Sequence, residues 1–114
     1  MTDCVFCRIA SGEIPAKAVA RRGGALAIHD LNPQAPVHVL VIPEAHWGGA
    51  RDTAGAAPGL WDALFGLAVE VARTLGLEDG GYRLVVNQGR DGGQSVGHLH
   101  VHLLGGRRMG WPPG

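Results

Sequence analysis

Three histidines stand at alternate positions in His98-Leu99-His100-Val101-His102-Leu103-Leu104. A β-strand has a side-chain period of two, so the spacing predicts that the three imidazoles share one face while Leu99, Val101 and Leu103 turn to the other. The plainer alternative is a solvated polar face that happens to use histidine. A row of three beside the glycine-rich segment 88–95 points instead to chemistry. A triple-histidine metal centre is one option, because imidazole nitrogens suit zinc. Alternate residues along a strand lie ~7 Å apart, however, so three in a line converge poorly on one ion. Phosphoryl or nucleotidyl transfer fits the row better. A neutral imidazole is a good nucleophile near pH 7, and a protonated neighbour can neutralise charge on the phosphoryl oxygens. Reaction through a covalent intermediate needs no magnesium and no other cofactor for its chemistry, in keeping with the scarcity of clustered carboxylates.

The two cysteines, Cys4 and Cys7, form one C-x-x-C near the start of the sequence. A disulfide there closes too small a loop to constrain much. A thioredoxin-like pair belongs after a strand, and no strand can precede position 4. Half of a tetrahedral zinc site is the better reading, and it requires two further ligands. An unmetallated, reduced pair is the alternative.

These groups must be held by a small fold. The chain has 114 residues, 46% of them hydrophobic, with ten basic and ten acidic side chains. That length buries a core without staples and predicts one domain spanning 1–114. Zero net charge removes the electrostatic footprint of a nucleic-acid or anionic-membrane binder. The first residues have neither a basic leader nor a long apolar run, which predicts a soluble cytoplasmic protein. Nineteen glycines without a repeat period indicate tight turns. Periodicity predicts a short helical segment from Val5 to Ala10, then strands at Ala18–Arg22 and Ala25–His29 around Gly23-Gly24. A third strand runs from Val37 to Ile42, after a break imposed by Pro33 and Pro36. The segment from Trp47 to Gly59 is read as an irregular, mobile loop. One long helix follows from Leu60 to Leu75, stopped by Gly76, with a second apolar stripe of Trp61, Phe65 and Ala72 that suits core packing or an interface. Strands at Tyr82–Asn87 and Leu99–Leu104 complete an α+β layout on an antiparallel sheet of about five strands.

The histidine row matches the H-φ-H-φ-H-φ-φ signature of the histidine triad (HIT) proteins, and the resemblance extends over most of the sequence. It includes Phe6, Glu13-Ile14-Pro15, His29-Asp30, Pro33-Gln34-Ala35-Pro36, His38, Val41-Ile42-Pro43, Val85-Val86-Asn87 and Asp91-Gly92-Gly93-Gln94-Ser95-Val96. With the tail Gly105-Gly106-Arg107 and Trp111-Pro112-Pro113-Gly114, it resembles the Hint branch, the purine nucleoside phosphoramidases. The branch that hydrolyses dinucleoside polyphosphates is less similar.

The resemblance implies a HIT-like fold and a double displacement. His100 would attack the α-phosphorus of an adenosine 5'-phosphoramidate, its other ring nitrogen facing the backbone carbonyl of His98, and water would release AMP. His102 and His38 would hydrogen-bond the phosphoryl oxygens, and Ser95 would help protonate the leaving amine. Asn87, Gly93, Gln94 and Val96 would position the phosphate. Asp30 would accept from the ribose hydroxyls, with His29 beside it, and Val5, Phe6, Ile9, Ile28 and Leu31 would line a slot for the base. Ile28 stands where the Hint branch often has phenylalanine. Bacterial relatives also imply a structural zinc held by Cys4, Cys7, His46 and His98. The family further implies a homodimer in which the C-terminal segment, here with Trp111, reaches the partner's site. The competing functions are dinucleoside polyphosphate hydrolysis, a non-catalytic AMP- or GMP-binding regulatory module, and a zinc-dependent structural protein.

Overall fold

The first hairpin is dictated by two glycines. Gly23 and Gly24 both have positive φ, 59° and 84°, as a tight two-residue turn between right-twisted strands demands. In the computed structural model, which describes residues 3–114, they join β1 (Ala18–Arg22) to β2 (Ala25–His29). The expectation of no leader rests partly on Met1 and Thr2, which lie outside the described residues. The chain continues through β3 (Val37–Pro43), helix α2 (Leu60–Thr74), β4 (Tyr82–Val86) and β5 (Val101–Gly105), with α1 (Val5–Ala10) preceding them all. The strands form one antiparallel sheet in the order β1-β2-β3-β5-β4. No described helix is long and apolar enough to cross a membrane.

The sheet has two covered faces. Ala25, Ala27, Val39, Val41, Leu99, Val101 and Leu103 point to α2, where Leu64, Leu67, Ala68, Val71 and Ala72 close a core from which water is excluded. Leu26, Ile28, Leu40 and Ile42 point the other way and meet Phe6 of α1. Helix α2 ends where its last turn meets Gly76 at φ 76°, a left-handed position that suits glycine. The apolar stripe left over on α2 is half-buried: Trp61 and Phe65 stack with centroids 5.7 Å apart.

The observed boundaries correct four expectations. Helix α2 ends at Thr74, one residue short of Leu75, which caps it. β3 runs one residue further, to Pro43, and β4 stops at Val86, one residue short of Asn87. More consequentially, β5 begins at Val101 and not Leu99, and it extends to Gly105. The stretch 98–100 has left the ladder because its backbone is used elsewhere: Leu99 N–H donates to Trp47 O at 2.6 Å, and the His98 carbonyl turns to its own neighbour's ring. The side-chain alternation survives, with Leu99 still in the helix-side core. The segment 47–59, expected to be irregular, holds a 3-10 turn at Ala50–Thr53. It is tied to the glycine-rich segment, since Arg51 N–H donates to Gln88 Oε1 at 2.9 Å and Gln94 Nε2 donates to Gly48 O at 2.7 Å.

Leu64 is fully buried where α2 crosses the sheet. Leu64→Ala should cost about 3 kcal/mol through lost transfer energy and a residual cavity, read as a lowered midpoint with unchanged slope in urea unfolding.

Candidate active site and metal centre

The α1 side of the sheet carries the chemistry. In the register of β3 and β5, His38 lies opposite Leu104 and His102 opposite Leu40, so the two histidines are diagonal neighbours on one face. Their rings meet, with His38 Nε2 2.9 Å from His102 Nδ1. The protons in this network follow from its geometry. Gln34 N–H donates to His38 Nδ1 at 3.0 Å, so the neutral ring of His38 carries its proton on Nε2. That proton faces His102 Nδ1, with Asp30 Oδ2 a further acceptor 3.3 Å from His38 Nε2. His102 in turn carries its proton on Nε2. Asp30 is oriented from its other oxygen, which accepts from Asn32 N–H at 2.8 Å.

His100 is fixed in the complementary way. Its Nδ1–H donates to the carbonyl of His98 at 2.7 Å, which leaves Nε2 with a lone pair. The ring is buried and packs edge-on against Phe6, centroids 5.2 Å apart.

Burial also decides charge. Desolvation, reinforced by the neighbouring His100 and His38, pushes His102 down to about 4. His38 is lowered as well, again by burial, with Asp30 opposing. Both rings are therefore neutral at pH 7 in the free protein and offer N–H donors. This corrects the expectation of a protonated imidazole beside the nucleophile: a ring stripped of water and flanked by other rings holds a second proton poorly.

A cavity of about 430 Å³ opens over these groups. Among the residues expected to act on phosphate and leaving group, it is lined by His38, Ser95, His100 and His102. Val96, expected to position the phosphate, lines it too, as do Asp30, Val5, Phe6, Ile9, Ile28 and Leu31 of the expected ribose and base contacts. The remaining expected contacts lie outside it. His29 is paired with Val39 and so turns to the α2 side of the sheet, away from Ile28. Asn87 donates to Gly92 O at 2.7 Å, and Gly93 occupies a left-handed turn position at φ 78°. Gln94 has both polar atoms engaged: Oε1 accepts from Gly89 N–H at 2.9 Å, and Nε2 donates to the carbonyls of Gly48 and Val96. These three shape the loop that carries Ser95. Trp111 is 83% exposed. Sequence reasoning missed Asn32, Gln34 and Leu40, which also line the cavity. Leu40 could have been found, two residues from His38 on the same strand face. Asn32 and Gln34 act through backbone N–H groups that side-chain types do not advertise.

The triad does not converge on one ion. His98 is drawn away into a second cluster, where one donor atom from each of Cys4, Cys7, His46 and His98 lies within 4.8 Å of the others. His98 Nδ1 is 3.2 Å from Cys4 Sγ and 3.1 Å from His46 Nδ1, and Cys7 Sγ is 3.2 Å from His46 Nδ1. Tetrahedral zinc with bonds of about 2.0–2.3 Å has donor–donor edges of roughly 3.3–3.8 Å, close to these separations. The far side of the ring fits too, since His98 Nε2–H donates to Pro43 O at 2.9 Å and so presents Nδ1 to the cluster. The donor set thus suits a closed structural zinc centre, with no position left for substrate. Asp30, His38 and His102 form a second convergent group, but there the short contacts are those of the proton network.

A family model described as HIT domain matches residues 11–109. The chain is 46% identical over 112 residues to a protein from Zea mays named as a 14 kDa zinc-binding protein, covering 96% of this chain and 87% of that one. Its fold superposes with a TM-score of 0.94 on a HIT family hydrolase from Legionella pneumophila, at 46% identity, covering 98% of this chain and all of that one. A histidine triad nucleotide-binding protein from Candida albicans matches with a TM-score of 0.82 at 28% identity, covering 96% and 83% of the two chains.

The neutral histidines set the acid limb of stability. His102 is held at about 4 against an ordinary 6.5, so the unfolded chain binds the proton first as pH falls. The stabilisation is present above pH 6.5 and lost between 6.5 and 4. Urea unfolding over that range should show a loss on the order of 1–2 kcal/mol, after allowance for partial solvent screening. His102→Gln should flatten the slope.

Proposed function

The chain belongs to the HIT domain family, and from that membership together with the protonation pattern of its histidines we propose that it hydrolyses purine nucleoside 5'-phosphoramidates to AMP and the free amine. One observation carries the reading: His100 Nδ1–H is bound to the His98 carbonyl at 2.7 Å, so the nitrogen left bare is the one a nucleophile needs.

In the reaction, the Nε2 lone pair of His100 forms a bond to the α-phosphorus while the phosphorus–nitrogen bond to the amine breaks. The electron pair leaves with the amine, which takes up a proton, because an unprotonated amine leaves phosphorus poorly. Ser95, which lines the same cavity, assists that transfer with its hydroxyl. The developing charge on the phosphoryl oxygens is met by His102 Nε2–H, a neutral donor whose proton is backed by His38 Nε2–H and then by the Gln34 amide. Water next attacks phosphorus, the bond to His100 breaks with its electron pair returning to Nε2, and the proton lost from the water replaces the one given to the amine as AMP is released. Asp30 is positioned to accept from the ribose, and the apolar wall of Phe6, Ile9, Ile28 and Leu31 takes the base. The zinc centre stands apart from these steps and holds the N-terminal segment. The Zea mays relative's name and the Cys2His2 donor set support zinc as its metal. A homodimer, drawn from the family resemblance, is part of the same reading, as is the cytoplasmic location expected from the residues. The half-buried Trp61–Phe65 stripe and the exposed Trp111 suit the dimer.

The test is AMP release from adenosine 5'-phosphoramidate, run beside diadenosine polyphosphate. The phosphoramidate should be the faster substrate. His100→Ala should lower its turnover by at least about 10³-fold while AMP affinity stays within about threefold. Faster cleavage of the dinucleotide would reassign the substrate class. Tight AMP binding with no turnover of either compound by the unaltered protein would make it a regulatory binding module.

A further inference from the structure

We infer that Cys4, Cys7 and His46 are positioning residues for His100, acting through His98 and Phe6, so that the metal-ligand cluster sets the tautomer of the nucleophile as well as anchoring the N-terminal segment. This rests on the reading of His100 as nucleophile.

Two lines of contact run from the cluster to the nucleophile. The first is His98. Its side chain is fully buried and held at both ring nitrogens, by Pro43 O at 2.9 Å and by the cluster donors, with Cys4 Sγ at 3.2 Å. The carbonyl of the same residue accepts the His100 Nδ1 proton. Residues 98–100 precede β5, so no strand ladder fixes that carbonyl. The N–H of the same peptide unit, that of Leu99, donates to Trp47 O, and Trp47 directly follows His46 of the cluster. The cluster therefore grips the acceptor's segment from both ends.

The second line is Phe6, which lies between the two cysteines in sequence. Its ring stands edge-on to His98, centroids 5.7 Å apart and planes at 82°, and edge-on to His100 at 5.2 Å and 78°. Helix α1 has only six residues, too few to persist without anchorage. The thiols on either side of Phe6 supply that anchorage, Cys7 Sγ meeting His46 Nδ1 at 3.2 Å.

A histidine ring freed from these restraints returns towards the tautomer preferred in water, with its proton on Nε2. That form has no lone pair on the attacking nitrogen. Loss of the cluster should consequently lower kcat with little change in substrate affinity. A purely structural staple would lower thermal stability alone.

His46 is the ligand to remove first, being exposed and outside the cavity. His46→Ala, His46→Cys and Phe6→Leu would be compared with the unaltered chain for zinc per chain, thermal midpoint, AMP affinity, kcat and KM well below unfolding, and the 15N ring signals of His100. The expectation for His46→Ala is loss of bound zinc, a fall in kcat of about tenfold, KM and AMP affinity within about threefold, and a shift of His100 towards the Nε2–H form. His46→Cys restores a zinc ligand and should recover both zinc and kcat. Phe6→Leu keeps all four donors and should show a smaller fall in kcat with zinc retained. Zinc-free His46→Ala with a lower midpoint but unchanged kcat and an intact Nδ1–H signal would overturn the inference, as would an unaltered chain that takes up no zinc on reconstitution. If the unaltered chain turns over no phosphoramidate, the proposed function fails, and the His100 ring signals still decide the positioning role.

Discussion

A single hydrogen bond, His100 Nδ1–H to the His98 carbonyl, organises the rest of the molecule. It requires the backbone at 98–100 to leave the ladder so that a carbonyl can face a side chain two residues on. Leaving the ladder would strand Leu99 N–H in the interior, and Trp47 O takes it. It also requires the alternation of faces to persist across the irregular stretch, because Leu99 must still enter the α2-side core with Val101 and Leu103. The hydrophobic face thus fixes the chemical face. Burial on one side leaves the imidazoles no freedom to choose the other.

The same burial selects the form in which the histidines work. A surface histidine near its ordinary value would be partly charged at neutral pH, and its neighbours would compete for protons. Here desolvation keeps His38 and His102 neutral, and neutral rings can be wired in series, each nitrogen either donating or accepting. The series begins at a backbone amide, Gln34 N–H, which cannot change its protonation state. That fixed starting point sets the direction of every proton after it.

Much of this was legible in the residues. The dyad repeat at 98–103 revealed both faces of the segment, Gly23-Gly24 revealed the hairpin, and the spacing of Leu60, Leu64, Leu67 and Val71 revealed the helix. What escaped was set by backbone and by register. The start of β5 depended on a bond from Leu99 to Trp47, 52 positions away by number, which no local pattern encodes. The direction of His29 depended on its pairing with Val39, while its neighbour Asp30, beyond the strand end, was free to turn towards the cavity. Family resemblance supplied the ligand set Cys4, Cys7, His46 and His98, and the structure brings those four together. It placed the His100 ring nitrogen on the His98 carbonyl, but it did not supply the charge of His38 and His102, because that follows from burial.

The partners of the site are distant in sequence. His38 and His102 are 64 residues apart, and Cys4 and His98 are 94 apart. β3 also waits for β5, although β4 and α2 come between them in the chain. Such non-local pairings carry their entropic cost before their contacts form, which makes folding late and cooperative. On the ribosome, the early-synthesised hairpin of β1 and β2 and the strand β3 have no partner for the β3 edge until the segment through Gly105 has emerged. His100, the Phe6 ring against it and the cysteines that frame Phe6 are therefore assembled in one event. A partly synthesised chain presents neither the cavity nor the Cys4, Cys7, His46 and His98 cluster, so both report a finished fold.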